Sequence, residues 1–256
     1  MEVHAHTHTP RKKWTHYFWE FFMLFLAVFC GFLAEYKLEH MIEKRKEKQI
    51  ISALYTDLKK DTANLNDIIY RYLPEHSAWE DSAETFLTTL PIKENERKIT
   101  LALVNSTNWN FYSPPQVSLE ILKSSGTYNL IEEEKAKAEI INLNNLINTY
   151  VNYSQFTLAA EHALDTTVAA IIHMTPLRLI IANVYAKTNA QYGSITEKDL
   201  PTGNLLMTYD KNVYLSFVKK IYGMDYLLHD LLGLYQKILN QEIELLNVLK
   251  EEYHIK

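Results

Sequence analysis

The sequence predicts an all-α protein: an N-terminal transmembrane helix continuing into a long stalk helix and an antiparallel helical bundle. Three observations carry this reading. Residues 21–34 form an unbroken apolar run. Glycine and proline number only 6 and 7 in 256 residues, too few for the turn-rich grammar of β folds. Beyond residue 50, apolar residues recur at three- and four-residue spacing, without the alternation of a strand. The chain accordingly divides into a flexible histidine-bearing and basic tail at 1–13, a transmembrane helix at 14–34, a charged helical stalk at 35–49 and a soluble helical bundle at 50–256.

From Trp14 to Ala34 there is no Lys, Arg or Pro. A helix of that length spans about 31 Å, close to the roughly 30 Å hydrocarbon core. Arg11-Lys12-Lys13 precede it, and Trp14, Tyr17 and Trp19 gather where interfacial aromatics belong. A cleavable signal peptide is the rival reading. Against it, no small-x-small site leads to a plausible mature start, and the helical pattern continues through Glu35-Tyr36-Lys37-Leu38-Glu39-His40. Lys37, Lys44, Arg45, Lys46 and Lys48 follow the span, so a plain count of basic residues would place the C-terminal side in the cytoplasm. The tight cluster abutting the span favours the opposite orientation. The expectation is a cytoplasmic N-terminus and a periplasmic domain.

Projected at 100° per residue, His16, Glu20, Ala27, Gly31 and Ala34 share one stripe. Ala27-x3-Gly31 is a small-residue pair of the kind that lets helix backbones approach. Glu20 lies within reach of headgroup water, where a charge costs less than at the bilayer centre. The functional reading is a membrane-helix packing face, for a homo-oligomer or another membrane protein. The plainer one is an interfacial glutamate above a chance pair of small residues. Ahead of the span, His4, His6 and His8 alternate in a pattern that could hold Zn²⁺ or Ni²⁺; a flexible polar tail with incidental histidines is the simpler reading.

No Gly or Pro separates Gly31 from Pro74, which predicts one helix from the span to about Leu73. Glu35, Glu39, Glu43 and Glu47 form a row on its first part, expected to be a solvated stalk. Ile51, Leu54, Leu58, Leu65, Ile68, Ile69 and Tyr72 then mark a core face. Pro74 is expected to end the helix. Shorter helices follow at about 75–90 and 95–105. The segment NSTNWNFYSPPQ cannot be regular helix, and its Trp109, Phe111 and Tyr112 are candidates for a ligand or partner loop, or for a loop packed over the bundle. Ser118 is expected to N-cap a short helix stopped by Ser125-Gly126. A long helix is predicted from about Glu132 to Met174, burying Ile140, Leu143, Ile147, Tyr150, Val151, Phe156, Leu164, Val168 and Ile171. A short helix at 177–186 and a long connection precede the last helix, about 211–251. That helix is expected to bury Val213, Phe217, Ile221, Leu228, Leu232, Tyr235, Leu239, Ile243, Leu246 and Leu249.

The stretch EVHAHTHTPRKKWTHYFWEFFMLFLAVFCGFLAEYKLEH resembles the start of a family of uncharacterised bacterial single-pass membrane-anchored helical proteins, with a domain of unknown function. In these, a histidine-bearing tail and basic cluster precede a Phe/Leu-rich span with a glutamate near its entrance. TDLKKD (Thr56 to Asp61) and SLEILKSSGTYNLI (Ser118 to Ile131) are similar to helix-turn stretches of related proteins. The likeness is specific over the first forty residues and weakens towards residue 153. It implies an anchored, helical protein and supplies no catalytic residues.

Chemistry is harder to find. The net charge of −5 argues against nucleic acid as partner, and the single cysteine, Cys30, excludes an internal disulfide. There is no phosphate-binding loop, dinucleotide fingerprint, nucleophile elbow or HExxH motif. His162 and His173 are read as sharing a helix face near Asp165, more simply as packing residues. Asp57 and Asp61, with Lys60, form an i,i+4 carboxylate pair that an exposed face would explain. The expected function is therefore a non-enzymatic, membrane-anchored structural or interaction protein, oligomerising through its span, with no cofactor beyond the tail histidines and with the bilayer as its first partner. The alternatives are a ligand-sensing bundle that signals through a partner protein, with loops 106–117 and 188–210 gating the site, and an accessory subunit of a transport or channel complex using Glu20 and His16.

Overall fold

The computed structural model describes residues 14–109, 111–114, 127–173, 178, 195–201 and 203–255. The helix expected after Ser118, its stop at Ser125-Gly126 and, residue 178 apart, the helix expected at 177–186 fall outside these. The chain forms two compact units, Met1–Ile50 and Ile51–Lys256. Both contain helix, and among the described residues there is no strand, only an antiparallel bridge between Ile172 and Leu206. The protein is all-α.

The first unit contains most of helix α1, Trp14–Asp67. Its most apolar eighteen-residue stretch averages a hydropathy of 1.9 with none of it buried. By length and composition this helix can cross a membrane. The glutamate row behaves as a solvated face only in part. Glu35, Glu39 and Glu43 are exposed, whereas Glu47 is 5% exposed.

In the second unit, the rest of α1 buries Ile51, Leu54, Leu58, Leu65 and Ile68, as its periodicity predicts. Pro74 does not end the helix. A π-helical turn, Ile68–Tyr72, intervenes, and α2 (Leu73–Thr89) continues with Pro74 in its first turn. The Leu73 N–H reaches back to the Ile68 carbonyl. A proline ring collides with the carbonyl four residues earlier and brings no N–H. One wider turn placed just before it removes that conflict without breaking the rod.

Helix α3 (Glu96–Asn105) follows a short 3-10 turn, Ile92–Glu94. Helices α4 (Glu134–Ile171) and α5 (Lys211–Glu252) form the most extensive helix pair. They run antiparallel: Gln241 bonds Glu139, Tyr153 bonds Asp230, and Lys220 bonds the Ala163 carbonyl. Ala83 and Leu87 of α2, Ile99 and Leu103 of α3, Leu164 and Ile171 of α4, and Phe217 and Ile221 of α5 pack into one core cluster.

Two expectations about core faces need correction. Phe156 is 65% exposed, while its neighbour Thr157 is buried and bonds the Ser154 carbonyl through its own hydroxyl. On α5, Ile243 is exposed and Glu242 fully buried, with Leu245, Val248 and Leu249 completing the stripe. The stripe keeps a seven-residue register, Leu228, Tyr235, Glu242, Leu249, and the register outweighs the chemistry of the single residue that occupies it.

The connection before α5 is ordered where it is described. Glu96 accepts the backbone N–H groups of Leu205 and Leu206, each at 2.6 Å. Asn105 exchanges two hydrogen bonds with the Ile195 backbone, at 2.9 and 3.1 Å. Thr196 and Asp199 close a reciprocal capping box over a 3-10 turn.

Candidate functional site

Ionisable groups occupy four core-register positions of the second unit. Asp61 occupies the α1 position between Leu54 and Ile68, seven residues from each. Glu242 holds the matching position on α5. On α2 the buried face reads His76, Glu80, Ala83, Leu87. Helical spacing thus drives a histidine and three carboxyls into places that packing reserves for apolar side chains.

Asp61 and Glu242 meet under the irregular segment that follows α3. The Tyr112 hydroxyl donates to Asp61 and lies 3.4 Å from Glu242 Oε1. The Tyr112 N–H donates to the Tyr235 hydroxyl at 3.2 Å, and the Tyr150 hydroxyl donates to the Tyr112 carbonyl. The rings of Tyr112, Tyr150 and Tyr235 stand 5.3 to 5.7 Å apart, tilted or edge-on. Burial pushes the Glu242 carboxyl up to about 10, reinforced by its contact with Asp61. Burial likewise raises Asp61, whose contacts with Glu242 and Tyr112 pull the other way. Two buried carboxylates in contact cannot both stay charged. Glu242 therefore keeps a proton at neutral pH and donates it towards Asp61, so the pair carries one charge. The expectation of an exposed Asp57/Asp61 pair is overturned for Asp61, which is 7% exposed. Its α1 register places it in the core, and Tyr112 supplies the donor that makes burial tolerable.

The second constellation lies on α2. The His76 and Glu80 side chains are each 2% exposed, with Nδ1 3.8 Å from Glu80 Oε2. Neither ring nitrogen of His76 has a hydrogen-bond partner among the described residues. Burial drives His76 down to about 4, so it is neutral. Burial drives Glu80 up to about 9, with the neighbouring Asp225 and Asp81 charges adding to it. Protonated, Glu80 is the donor towards Asp225 of α5, whose carboxyl burial raises while the Glu80 contact pulls the other way. The Trp109 ring lies 3.8 Å from the His76 ring, and Phe111 stacks behind Trp109 at 5.9 Å. A cavity of about 30 Å³ opens beside His76, lined also by Arg71, Tyr72, Glu75, Trp79, Asn105 and Asn108. That is room for one water. Arg71 is already engaged: it grips Asp67 at 2.6 and 2.5 Å and reaches Glu75 at 3.5 Å.

Both constellations hold the same segment. The Tyr72 hydroxyl, at the end of the π turn, donates to the Asn108 carbonyl; Trp109 caps His76, and Tyr112 covers the Asp61/Glu242 pair. Trp109 and Phe111 are half-buried against the core and Tyr112 is buried. The structure thus brings Trp109, Phe111 and Tyr112 together as a strap packed over the bundle. It does not bring together His162 and His173. Helix α4 ends at Ile171, leaving His173 in the following segment, where its N–H bonds the Leu205 carbonyl. His162 and Asp165 are exposed.

The other candidates lie on the first unit. His4, His6 and His8 fall outside the described residues. Among the described residues no group of three or more His, Cys, Asp or Glu side chains could hold a metal ion. His16, Glu20, Ala27, Gly31 and Ala34 are all exposed on α1, and His16 Nε2 lies 3.2 Å from Glu20 Oε1. A methyl group added at Gly31 would meet nothing within 4 Å.

His76, Glu80 and Glu242 escaped the sequence reading, although each left a signal. His76 and Glu80 stand at i,i+4 on one helix face, and Glu242 interrupts an otherwise apolar seven-residue series. No protein-family model, curated protein or solved structure matches the chain.

Proposed function

We propose that this chain is a single-pass protein of the bacterial inner membrane whose helical domain serves as a non-enzymatic structural and interaction module. The observation that carries the reading is the exposed apolar length of α1, with its averaged hydropathy of 1.9. Such a surface in water would cost far more than the fold could offset. In this reading the basic cluster stays cytoplasmic, the domain lies in the periplasm, and the stripe of His16, Glu20, Ala27, Gly31 and Ala34 packs against a second copy. The resemblance of the first forty residues to anchored helical proteins supports the same conclusion.

Alkaline extraction of membranes tests the anchor: the full chain remains in the pellet, and release into the supernatant would sink the proposal. Reporter fusions at the C-terminus test the orientation. Oxidative crosslinking at Cys30 in native membranes tests the oligomer, and a strictly monomeric product removes that part.

One observation favours ligand sensing as a second reading. His76 lines the cavity beneath the strap, and neither of its buried ring nitrogens has a hydrogen-bond partner among the described residues. The cavity as it stands takes one water, so a larger polar ligand would enter only with movement of the strap and would then give the His76 nitrogens the bonds they lack. Thermal shift of the full-length protein in lipid nanodiscs, screened against small polar metabolites, distinguishes the readings, because a sensor gains melting temperature with its ligand.

A further inference from the structure

The helical domain carries a second concavity, away from the strap. It is a groove of about 460 Å³ formed by Leu87, Thr88, Leu90, Ile92, Lys93, Tyr209 and Lys211. Its volume falls in the range of small-molecule sites, about 300–1,000 Å³. Three different stretches build it: the last turn of α2 with its extended C-cap, the 3-10 turn beyond Pro91, and the lead-in to α5.

The groove's walls are fixed in advance. The Met207 N–H donates to the Ile171 carbonyl at 2.7 Å, Glu96 holds the Leu205 and Leu206 N–H groups, and the Tyr214 hydroxyl donates to the Thr208 carbonyl. Asp210 is turned to the backbone, accepting the Asn212 N–H at 2.9 Å. The Thr88 hydroxyl is spent on the Glu84 carbonyl. What the lining offers a guest is therefore an aliphatic surface from Leu90 and Ile92 above the nearly buried Leu87, the half-exposed Tyr209 ring, and two ammonium groups. None of the lining residues is acidic, on a chain whose net charge is −5.

We propose that this groove is a binding site for a single-chain anionic amphiphile, a free medium-chain fatty acid, with the aliphatic tail on Leu87, Leu90 and Ile92 and the carboxylate between Lys93 and Lys211. A hydrocarbon chain matches the apolar surface, and charge-assisted hydrogen bonds to two lysines give the headgroup its sign preference. A neutral alcohol of equal length keeps only the first contribution, and an alkylammonium meets repulsion. The site is independent of the membrane-anchor reading: the groove belongs wholly to the helical domain, and its test reads local signals there.

Full-length protein in phosphatidylcholine nanodiscs, with ¹³C-labelled Ile and Leu methyl groups, is titrated with octanoate and separately with octanol. Saturable shifts are expected at Ile92 and Leu90 with octanoate, and binding about tenfold weaker with octanol. Lys93→Glu with Lys211→Glu should abolish the octanoate shifts, and the corresponding Arg pair should retain them. Unmoved Ile140 and Ile147 methyls report that each variant is folded. If the reversed pair fails to fold, the salt dependence of the wild type decides, since a charge-selected ligand weakens as salt rises. Absent shifts at Ile92, equal binding of octanol, or octanoate binding indifferent to charge reversal or to salt each overturn the proposal.

Discussion

The apolar surface of residues 14–34 and the buried stripe of residues 228–249 each bear one glutamate, Glu20 and Glu242, and the two meet opposite fates. The first stretch is apolar around its whole circumference and wholly exposed, with Glu20 near one end beside His16. The second is apolar along one stripe only. Its Glu242 sits in mid-stripe, fully buried and protonated against Asp61. A helix with no polar face has no direction in which to turn its apolar surface inward, so a low-dielectric exterior is its natural surrounding. A helix with one apolar stripe must bury that stripe, and whatever residue shares the register is buried too. Burial decides the protonation of Glu242; position along the helix decides the hydration of Glu20.

The comparison can be broken most sharply in the core. Glu242→Ala leaves a void and removes the donor facing Asp61. It should destabilise the helical domain by about 3–5 kcal/mol in urea unfolding. Next is the apolar run. Leu26→Arg places a charge at its centre and should disfavour insertion by about 3 kcal/mol, shifting a measurable fraction of the protein out of alkali-washed membranes.

The pH profile discriminates further, and its sign follows from the direction of each shift. Folded Glu80 and Glu242 keep protons that the unfolded chain loses above about pH 4.5, so their contribution falls as pH rises towards 9 and 10. His76 acts on the other side. Its folded value near 4 lies below its unfolded 6.5, so stability is lost as pH falls through that interval. Above about pH 4.5 the two carboxyls outweigh the one histidine, so the melting temperature should fall as pH rises, gently up to about 6.5 and more steeply beyond it, where His76 no longer offsets them. Glu242→Gln keeps the donor without the titration. It should flatten the alkaline limb and raise the melting temperature at pH 8 by a few degrees, roughly the effect of 1 kcal/mol. An unchanged alkaline limb would show that Glu242 is ionised in the fold.

Smaller effects bound the comparison from below. Tyr150→Phe removes the bond to the Tyr112 carbonyl and should cost about 1 kcal/mol. Arg71→Ala, on an exposed pair with Asp67, should cost under about 1 kcal/mol. Of these two, only Tyr150→Phe should accelerate proteolysis of the strap around Trp109.

Much of the architecture was legible from local rules. The core positions from Ile51 to Tyr72, across α1 and the π turn, the start of α3 and the α4 core positions Ile140, Leu143, Ile147 and Tyr150 fall where three- and four-residue spacing places them. The errors share a cause. One-dimensional rules make Pro74 a stop because they treat proline as incompatible with a continuing helix, and a single π turn is a local escape that composition does not announce. Ile243 was favoured over Glu242 because hydrophobicity was weighed residue by residue, whereas the bundle selects a whole register. Asp61 was assigned to solvent because its partners, Tyr112 and Glu242, are remote in sequence.

The chain's own sequence therefore determined the helical class, the apolar run long enough for a bilayer and the main burial stripes, because each depends on the order of residues within a few turns. Tertiary structure alone decided which carboxyls keep their protons, how the strap from Ser106 to Pro114 is held, and which lysines face a common groove. Those outcomes depend on residues from separate helices sharing one low-dielectric space. No local pattern encodes that proximity.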